Sequence, residues 1–237
     1  MGGYNNPVFG LLFDLVWRRC ISIEGLKFYV PGDLTRRSFR SRFLFDLYEK
    51  EERYIINKYI RKDYNVIEFG AGIGVVSCIT NKLINRGNKH IVYEANKELI
   101  PWLNKNKKVN NCDFNIINKA VSDGNGVCLS KSGNYTESYV QNTMDTTMEF
   151  VNVVELDELL AHKDINMIIC DIEGAEKYLI NNYRDFVKLC NNIMIEIHNN
   201  ELITKEDLAK VLDHLSSMGY TKIEQFRNVQ YWSKLSP

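Results

Sequence analysis

From about residue 45 onward, short apolar runs alternate with longer stretches in which apolar side chains recur every three or four positions. "FLFDLYEKEERYIINKYI" sets Phe45, Tyr48, Tyr54, Ile55 and Tyr59 at helical spacing, with Glu and Lys between them. "NVIEFG" then predicts a strand, "GVVSCITNKLINRG" a helix ending at Gly87, and "KHIVYEAN" a second strand. "NKELIPWLNKNKKVN" predicts a helix with Asn96 as its cap and Pro101 early in it, and "DFNIINKAV" a third strand. Between Ser122 and Asn152 the pattern loosens, and the "DGNG" and "SGNY" turns predict a hairpin or loop insertion. "LDELLAHK", "NMIICDIEG", "AEKYLINNYRDFVKLC" and "NIMIEIHNN" follow as helix, strand, helix and strand. The helix "TKEDLAKVLDHLSSMG" and the strands "YTKIEQFR" and "NVQYWSKL" complete the pattern.

This order predicts an α/β fold, a doubly wound, mostly parallel seven-stranded sheet with helices on both faces. Almost nothing separates the last two strands, so they must pair as a C-terminal antiparallel hairpin. No internal repeat or low-complexity linker divides the chain. Residues 1–44 read as an N-terminal extension that serves as a substrate lid, and residues 45–237 as the ligand-binding domain. Within the extension, "PVFGLLFDLVWRRC" is interrupted by Asp14 and closes on Arg18 and Arg19. It lacks the basic start and small-residue cleavage site of a signal peptide. It predicts an amphipathic helix docking on the domain or on a partner, with peripheral membrane contact as the alternative. No run approaches the roughly 20 apolar residues of a membrane span, so no transmembrane segment is predicted.

Composition narrows the function. Of 237 residues 45% are hydrophobic and 25% charged, which supports a sizeable core in an ordinary globule. The formal net charge of +0 removes any global field for nucleic acid, leaving local clusters such as "LTRRSFRSR" with Arg36, Arg37, Arg40 and Arg42. That tract is either a solvated, carboxylate-paired face or an anion site. Six scattered cysteines without a C-x-x-C pair read as reduced thiols of a cytoplasmic protein.

"VIEFGAGIGVVS" carries the chemistry: Gly70, Gly72 and Gly74 lie between a strand and a helix, where a ligand backbone must approach closely. A nicotinamide dinucleotide demands G-x-G-x-x-G, but position 75 is Val and the third glycine falls one residue early. Glu68, two residues before the first glycine, repels a pyrophosphate and suits a ligand with an ammonium group and a sulfonium. Glu94, at the end of the next strand, can accept ribose hydroxyls in either ligand class. The joint pattern favours S-adenosylmethionine.

With "VIEFGAGIG", "VYEAN", "NKAVSD", "CDIEGAE" and "IEIH", the chain from about Tyr48 to His198 resembles the FkbM family of S-adenosylmethionine-dependent methyltransferases. The resemblance implies the Rossmann-like fold of a class I methyltransferase and O-methylation of sugars in glycans or glycolipids, or of secondary metabolites. It implies that Glu68, Gly70, Gly72 and Gly74 wrap the methionine part and that Glu94 takes the ribose. Ala95 and Asn96 would flank the adenine, with Asn118 and Ala120 over its edge.

Methyl transfer to a hydroxyl needs alignment and a base for one proton. "CDIEGAEKY" places Asp171 and Glu173 on one side of a strand end, and "IEIH" offers Glu196 and His198 on the neighbouring strand. Asp171, Glu173 and His198 are therefore the candidate catalytic residues, with Asp171 and His198 sharing the general-base role. Glu176 reads as a helix-start residue, and His90, His162 and His214 receive no role. The same Asp171, Glu173 and His198 could hold Mg²⁺ or Mn²⁺, the less favoured reading.

The predicted acceptor is a sugar or glycan, met by Tyr135, Tyr139, Asn134 and Gln141 of the insertion and by Arg37 and Arg42. Alternatives are a small secondary metabolite and a catalytically silent adenosyl-binding module. Nucleic-acid methylation is disfavoured by the charge balance and by the missing N/D-P-P-Y/F tetrapeptide.

Overall fold

The computed structural model describes residues 6–122, 127–129, 140–141, 149–198 and 204–234. The N-terminal segment holds helix α1 (Pro7–Val16), strands β1 (Cys20–Ile23) and β2 (Leu26–Tyr29), and helix α2 (Arg37–Leu44). Then come α3 (Lys50–Tyr59), β3 (Val66–Phe69), α4 (Val75–Leu83), β4 (His90–Tyr93), α5 (Ile100–Val109) and β5 (Asn115–Ile117). Short strands β6 (Val127–Leu129), β7 (Val140–Gln141) and β8 (Glu149–Val151) precede α6 (Leu156–Leu160) and β9 (Met167–Cys170). The chain continues through α7 (Glu176–Asn182), α8 (Arg184–Leu189), β10 (Asn192–Glu196), α9 (Lys205–Ser217), β11 (Thr221–Phe226) and β12 (Val229–Ser233).

Seven strands form the main sheet in the order β11-β12-β10-β9-β3-β4-β5. β10, β9, β3, β4 and β5 run parallel, while β12 pairs antiparallel with both β10 and β11. The sheet and its terminal hairpin thus match the sequence-based expectation. β3, β4 and β9 are buried at every position, because helices cover both faces and leave no solvent side to alternate with. From β3 the chain winds one way to β4 and β5, and β9 and β10 lie on its other side. The carboxyl ends of β3 and β9 therefore flank the switch point, where open α/β sheets hold ligands.

Three local features differ from the pattern reading. The segment before residue 45 adds a β1–β2 hairpin and α2 to the expected helix; its turn, Glu24-Gly25, has positive φ at both residues, which a two-residue hairpin loop requires. The single helix expected from "AEKYLINNYRDFVKLC" breaks at Tyr183 into α7 and α8. The 122–152 insertion contains a three-stranded sheet ordered β7-β6-β8. Asn134, Tyr135 and Tyr139 lie outside the described residues, as does the side chain of Gln141.

The extension packs as part of the core. Phe13, Phe28, Phe39 and Phe43 share one apolar cluster with Ile55 of α3, Val75 of α4 and Leu103 of α5. Phe43 stacks on Tyr48 at 4.3 Å between ring centres. Two asparagines one turn apart, one on α5 and one at its C-cap, complete the attachment. Asn106 Oδ1 accepts from Tyr29 N at 2.8 Å, while its Nδ2 donates to Tyr29 O and to Ile73 O of the glycine loop. Asn110 treats Lys27 in the same way. These amides act as a substitute strand along the edge of β2, satisfying backbone groups that the hairpin leaves over.

Asn106 is fully buried, so Asn106→Ala strands one N–H and two carbonyls. We expect a loss of about 3 kcal/mol in denaturant unfolding, against at most ~0.5 kcal/mol for exposed Asn104→Ala.

Candidate active site

The glycine loop is held by close approaches on two sides. Gly70 donates to Tyr93 O at 2.9 Å and has φ +86°; a Cβ there would lie 1.6 Å from the Asp171 carbonyl oxygen. Gly74, also at φ +86°, would drive a Cβ to 2.4 Å from Leu103 Cδ1. Gly72 has φ +54° and lines the cavity with Gly70. Any side chain at Gly70 would force the β3 and β9 ends apart.

The loop's N–H groups already have carboxylate partners. Glu94 Oε2 accepts from Ala71 N at 3.0 Å and Gly72 N at 2.8 Å, and Oε1 from Asn96 N at 2.7 Å. Burial nevertheless lifts the Glu94 carboxyl to about 7, against those three N–H groups. Glu49, from the segment before α3, reaches Val76 N in the first turn of α4 at 3.2 Å. The helix N-terminus that would hold a pyrophosphate is thereby met by a carboxyl group.

Beyond the loop, a cavity of about 440 Å³ opens at the carboxyl ends of β3, β4, β9 and β10. Glu49, Glu51, Glu52, Glu94, Asp171, Glu173 and Glu196 line it, with Arg42, Lys119, Arg227 and His198 as the basic groups. Lys119 is paired with Glu158, and Arg227 with Glu51 at 2.5 Å, so their charge is largely spoken for. Burial, with crowding, raises the proton affinity of several of these groups. Burial, followed by the charges of Glu196 and Glu49, pushes Glu52 up to about 9. Burial and then Glu196, Glu173, Glu52 and Glu49 raise Asp171 well above the usual carboxylate range.

His198 sits at the centre. Its Nδ1 lies 2.6 Å from Oε1 of fully buried Glu176. Its Nε2 lies 3.2 Å from Glu173, 3.7 Å from Asp171 and 3.8 Å from Glu196. Burial alone would depress the imidazolium, but the Glu176 hydrogen bond and the surrounding charges override it and raise the ring to about 9. At neutral pH the ring is therefore protonated.

The structure brings together Asp171, Glu173 and His198, and places Gly70, Gly72, Glu94, Ala95, Asn96 and Ala120 along the same cavity. It does not place Glu68 there. Glu68 is fully buried on the α4 side, where Oε1 accepts from Ser77 at 2.6 Å and Oε2 lies 3.2 Å from His90. Strand alternation turns its neighbour Phe69 toward the cavity and Glu68 away. Gly74 acts by packing at the α4 N-cap. Asn118 donates to the carbonyls of Glu94 and Ala95, shaping their turn. Of the arginine tract only Arg42 lines the cavity; buried Arg40 pairs with Asp14 at 2.7 Å, and Arg37 is exposed elsewhere.

Sequence reasoning missed Glu49, Glu51, Glu52 and the role of Glu176. In "YEKEERY" the acids resemble the solvated face of a helix; packing of α3 against α4, β10 and β12 buries Glu51 and Glu52 and leaves Glu49 half-buried.

Residues 68–222 match the family model described as Methyltransferase FkbM domain. The chain belongs to that family. Among solved structures, this FkbM methyltransferase is similar to a candidate rRNA-methylase from Clostridium thermocellum, at 11% identity and TM-score 0.51, over 78% of this chain and 94% of that one. It is similar to a methyltransferase from Pyrococcus furiosus at 14% identity and TM-score 0.50, over 98% of this chain and 99% of that one. These likenesses establish the class I methyltransferase fold. No curated protein matches the chain.

The Glu52 shift has a thermodynamic sign. Between 4.5 and about 9 the unfolded carboxyl has released its proton while the folded one retains it. Raising the pH through that window therefore removes stability from this FkbM methyltransferase in its ligand-free state. Melting curves across the window should fall with pH, and Glu52→Gln should flatten the slope; an unchanged slope would show that Glu52 is not the group responsible.

Proposed function

We propose that the protein transfers a methyl group from S-adenosylmethionine to a sugar hydroxyl of a glycan or glycolipid precursor. One observation carries the choice of donor: carboxyl groups hold the glycine loop's N–H groups and crowd the cavity. Such a cavity opposes a pyrophosphate and favours a ligand bearing an ammonium and a sulfonium. The residues present fit that donor. Gly70 and Gly72 leave room for its close approach, and Glu94, Ala95, Asn96 and Ala120 provide the rim for the nucleoside. When bound, S-adenosylmethionine supplies a methyl group on positively charged sulfur.

The chain's own residues must align the acceptor oxygen and take its proton. In this reading Asp171 accepts the proton, made more basic than an ordinary aspartate by burial and then by its acidic neighbours. His198, protonated and anchored through Nδ1 by Glu176, holds Asp171 and Glu173 in place. The remaining carboxyl groups accept hydrogen bonds from sugar hydroxyls, with Phe39 and Tyr48 offering apolar and aromatic surface. Phosphate-bearing acceptors fit less well than neutral ones, because Arg42 is the tract's sole contribution to the lining. This argues for a sugar over RNA, the acceptor class named for the Clostridium thermocellum neighbour.

A metal-assisted variant draws on one geometric fact: ligand atoms of Asp171, Glu196 and His198 lie within 4.8 Å of one another. There Mg²⁺ or Mn²⁺ would lower the pKa of the acceptor hydroxyl.

S-adenosylmethionine should raise the melting temperature of the wild type, and Gly72→Val should abolish the rise. Calorimetry showing NAD binding without a response to S-adenosylmethionine would remove the donor assignment. Asp171→Asn should lower turnover by at least ~10²-fold with little change in donor affinity. Labelled donor offered with nucleotide sugars, oligosaccharides and small phenols tests the acceptor, and label found on phenols alone would overturn the sugar reading. Activity lost in chelator and restored by Mn²⁺ would move the proton's activation to the metal.

A further inference from the structure

Helix α1 has two faces of different kinds. Its inner face is fastened to α2. Gly10 packs so tightly that a Cβ would lie 1.8 Å from the Arg37 carbonyl oxygen; Phe13 stacks on Phe43 and Asp14 pairs with Arg40. Its outer face carries Val8, Leu11, Leu12, Leu15 and Val16, at spacings of three and four residues, and all five are exposed. Val8, Leu15 and Val16 keep 62%, 69% and 64% of their surface in contact with solvent. A helix packed on a globule ordinarily turns polar residues outward. Here every one of these outward positions is apolar, a contiguous patch of the kind that marks an interaction site.

The surroundings indicate what covers it. Trp17, 44% exposed, ends the stripe, and exposed Arg18 and Arg19 follow directly. Exposed Arg36 and Arg37 stand at the start of α2, beside Gly10. The chain as a whole has a formal net charge of +0, so this basic rim is a local feature. An apolar stripe edged by an indole and guanidinium groups matches a bilayer surface in layers: aliphatic side chains enter the acyl boundary, the indole sits at headgroup depth, and arginines meet lipid phosphates. No helix among the described residues is long and apolar enough to cross a membrane, so the contact is with one face of the bilayer.

We propose that α1 docks this protein on an anionic phospholipid surface, lying in the plane of the interface. The helix beneath it, α2, carries Phe39 and Arg42 into the cavity lining, so docking brings the cavity one helix away from the lipid. The proposal goes beyond the methyl-transfer reading and does not depend on it.

Co-sedimentation with vesicles tests it without an activity readout. Vesicles of phosphatidylcholine mixed with phosphatidylglycerol should carry the protein down, phosphatidylcholine alone should carry less, and added salt should weaken the association. Leu12→Glu and Leu15→Glu, at exposed positions, should each reduce binding at least ~10-fold while leaving the melting temperature unchanged. Arg18→Glu with Arg19→Glu should erase the preference for anionic vesicles. Failure to bind either vesicle, or binding indifferent to the leucine changes, would overturn the proposal. So would a dimer in sedimentation velocity that Leu15→Glu converts to monomer, because the stripe would then be a contact between copies.

Discussion

The governing constraint is electrostatic: the carboxyl edge of the sheet gathers more acidic groups than it can hold ionised. Asp171 and Glu173 arrive on the loop after β9, Glu196 at the end of β10, and Glu49 and Glu52 from the segment before α3 and its first turn. They line one cavity and are partly withdrawn from solvent, so each added charge raises the cost of the next. The site responds by keeping protons on Glu52 and by holding His198 as an imidazolium between Glu176 and Glu173. A bound cation would relieve the same strain.

The same carboxyl groups bear on the glycine-rich turn, which is common to several nucleotide folds. In a dinucleotide site the helix N-terminus and loop amides are free to receive phosphate. Here Glu94 and Glu49 take those amides, one from just after the adjacent strand β4 and one from the residue that caps α3. The loop itself is immobilised by Gly70 against the Asp171 backbone and by Asn106, which ties Ile73 to β2. The N-terminal segment thus supports the loop from behind, contributes Phe39 and Arg42 to the cavity, and presents α1 outward.

Much of this was legible beforehand because it depends on local periodicity. Fully buried parallel strands appear as unbroken apolar runs, and the "DIEG" and "IEIH" segments place acids at strand ends by simple alternation. The orientation of Glu68 was not legible. A carboxylate two residues before a glycine loop sits on one face of its strand, and which face is the cavity depends on how β4 and α4 pack. The polar helix faces were equally opaque: Glu52 on α3 and Asn106 on α5 look solvated until a hairpin and a strand from distant parts of the chain cover them.

The sequence by itself determined the element order, the parallel sheet with its terminal hairpin, the glycine turn and the acids at two strand ends. Each follows from interactions among residues close in the chain or from a period that any sheet must obey. Tertiary structure alone decided that Glu176 would anchor His198, that Glu49 would meet the N-terminus of α4, and that Glu68 would pair with Ser77 and His90 away from the cavity. Apart from Glu68 with Ser77, on consecutive elements, those pairings join segments with another strand or helix between them, and the three-dimensional crossing of those elements sets which polar groups meet.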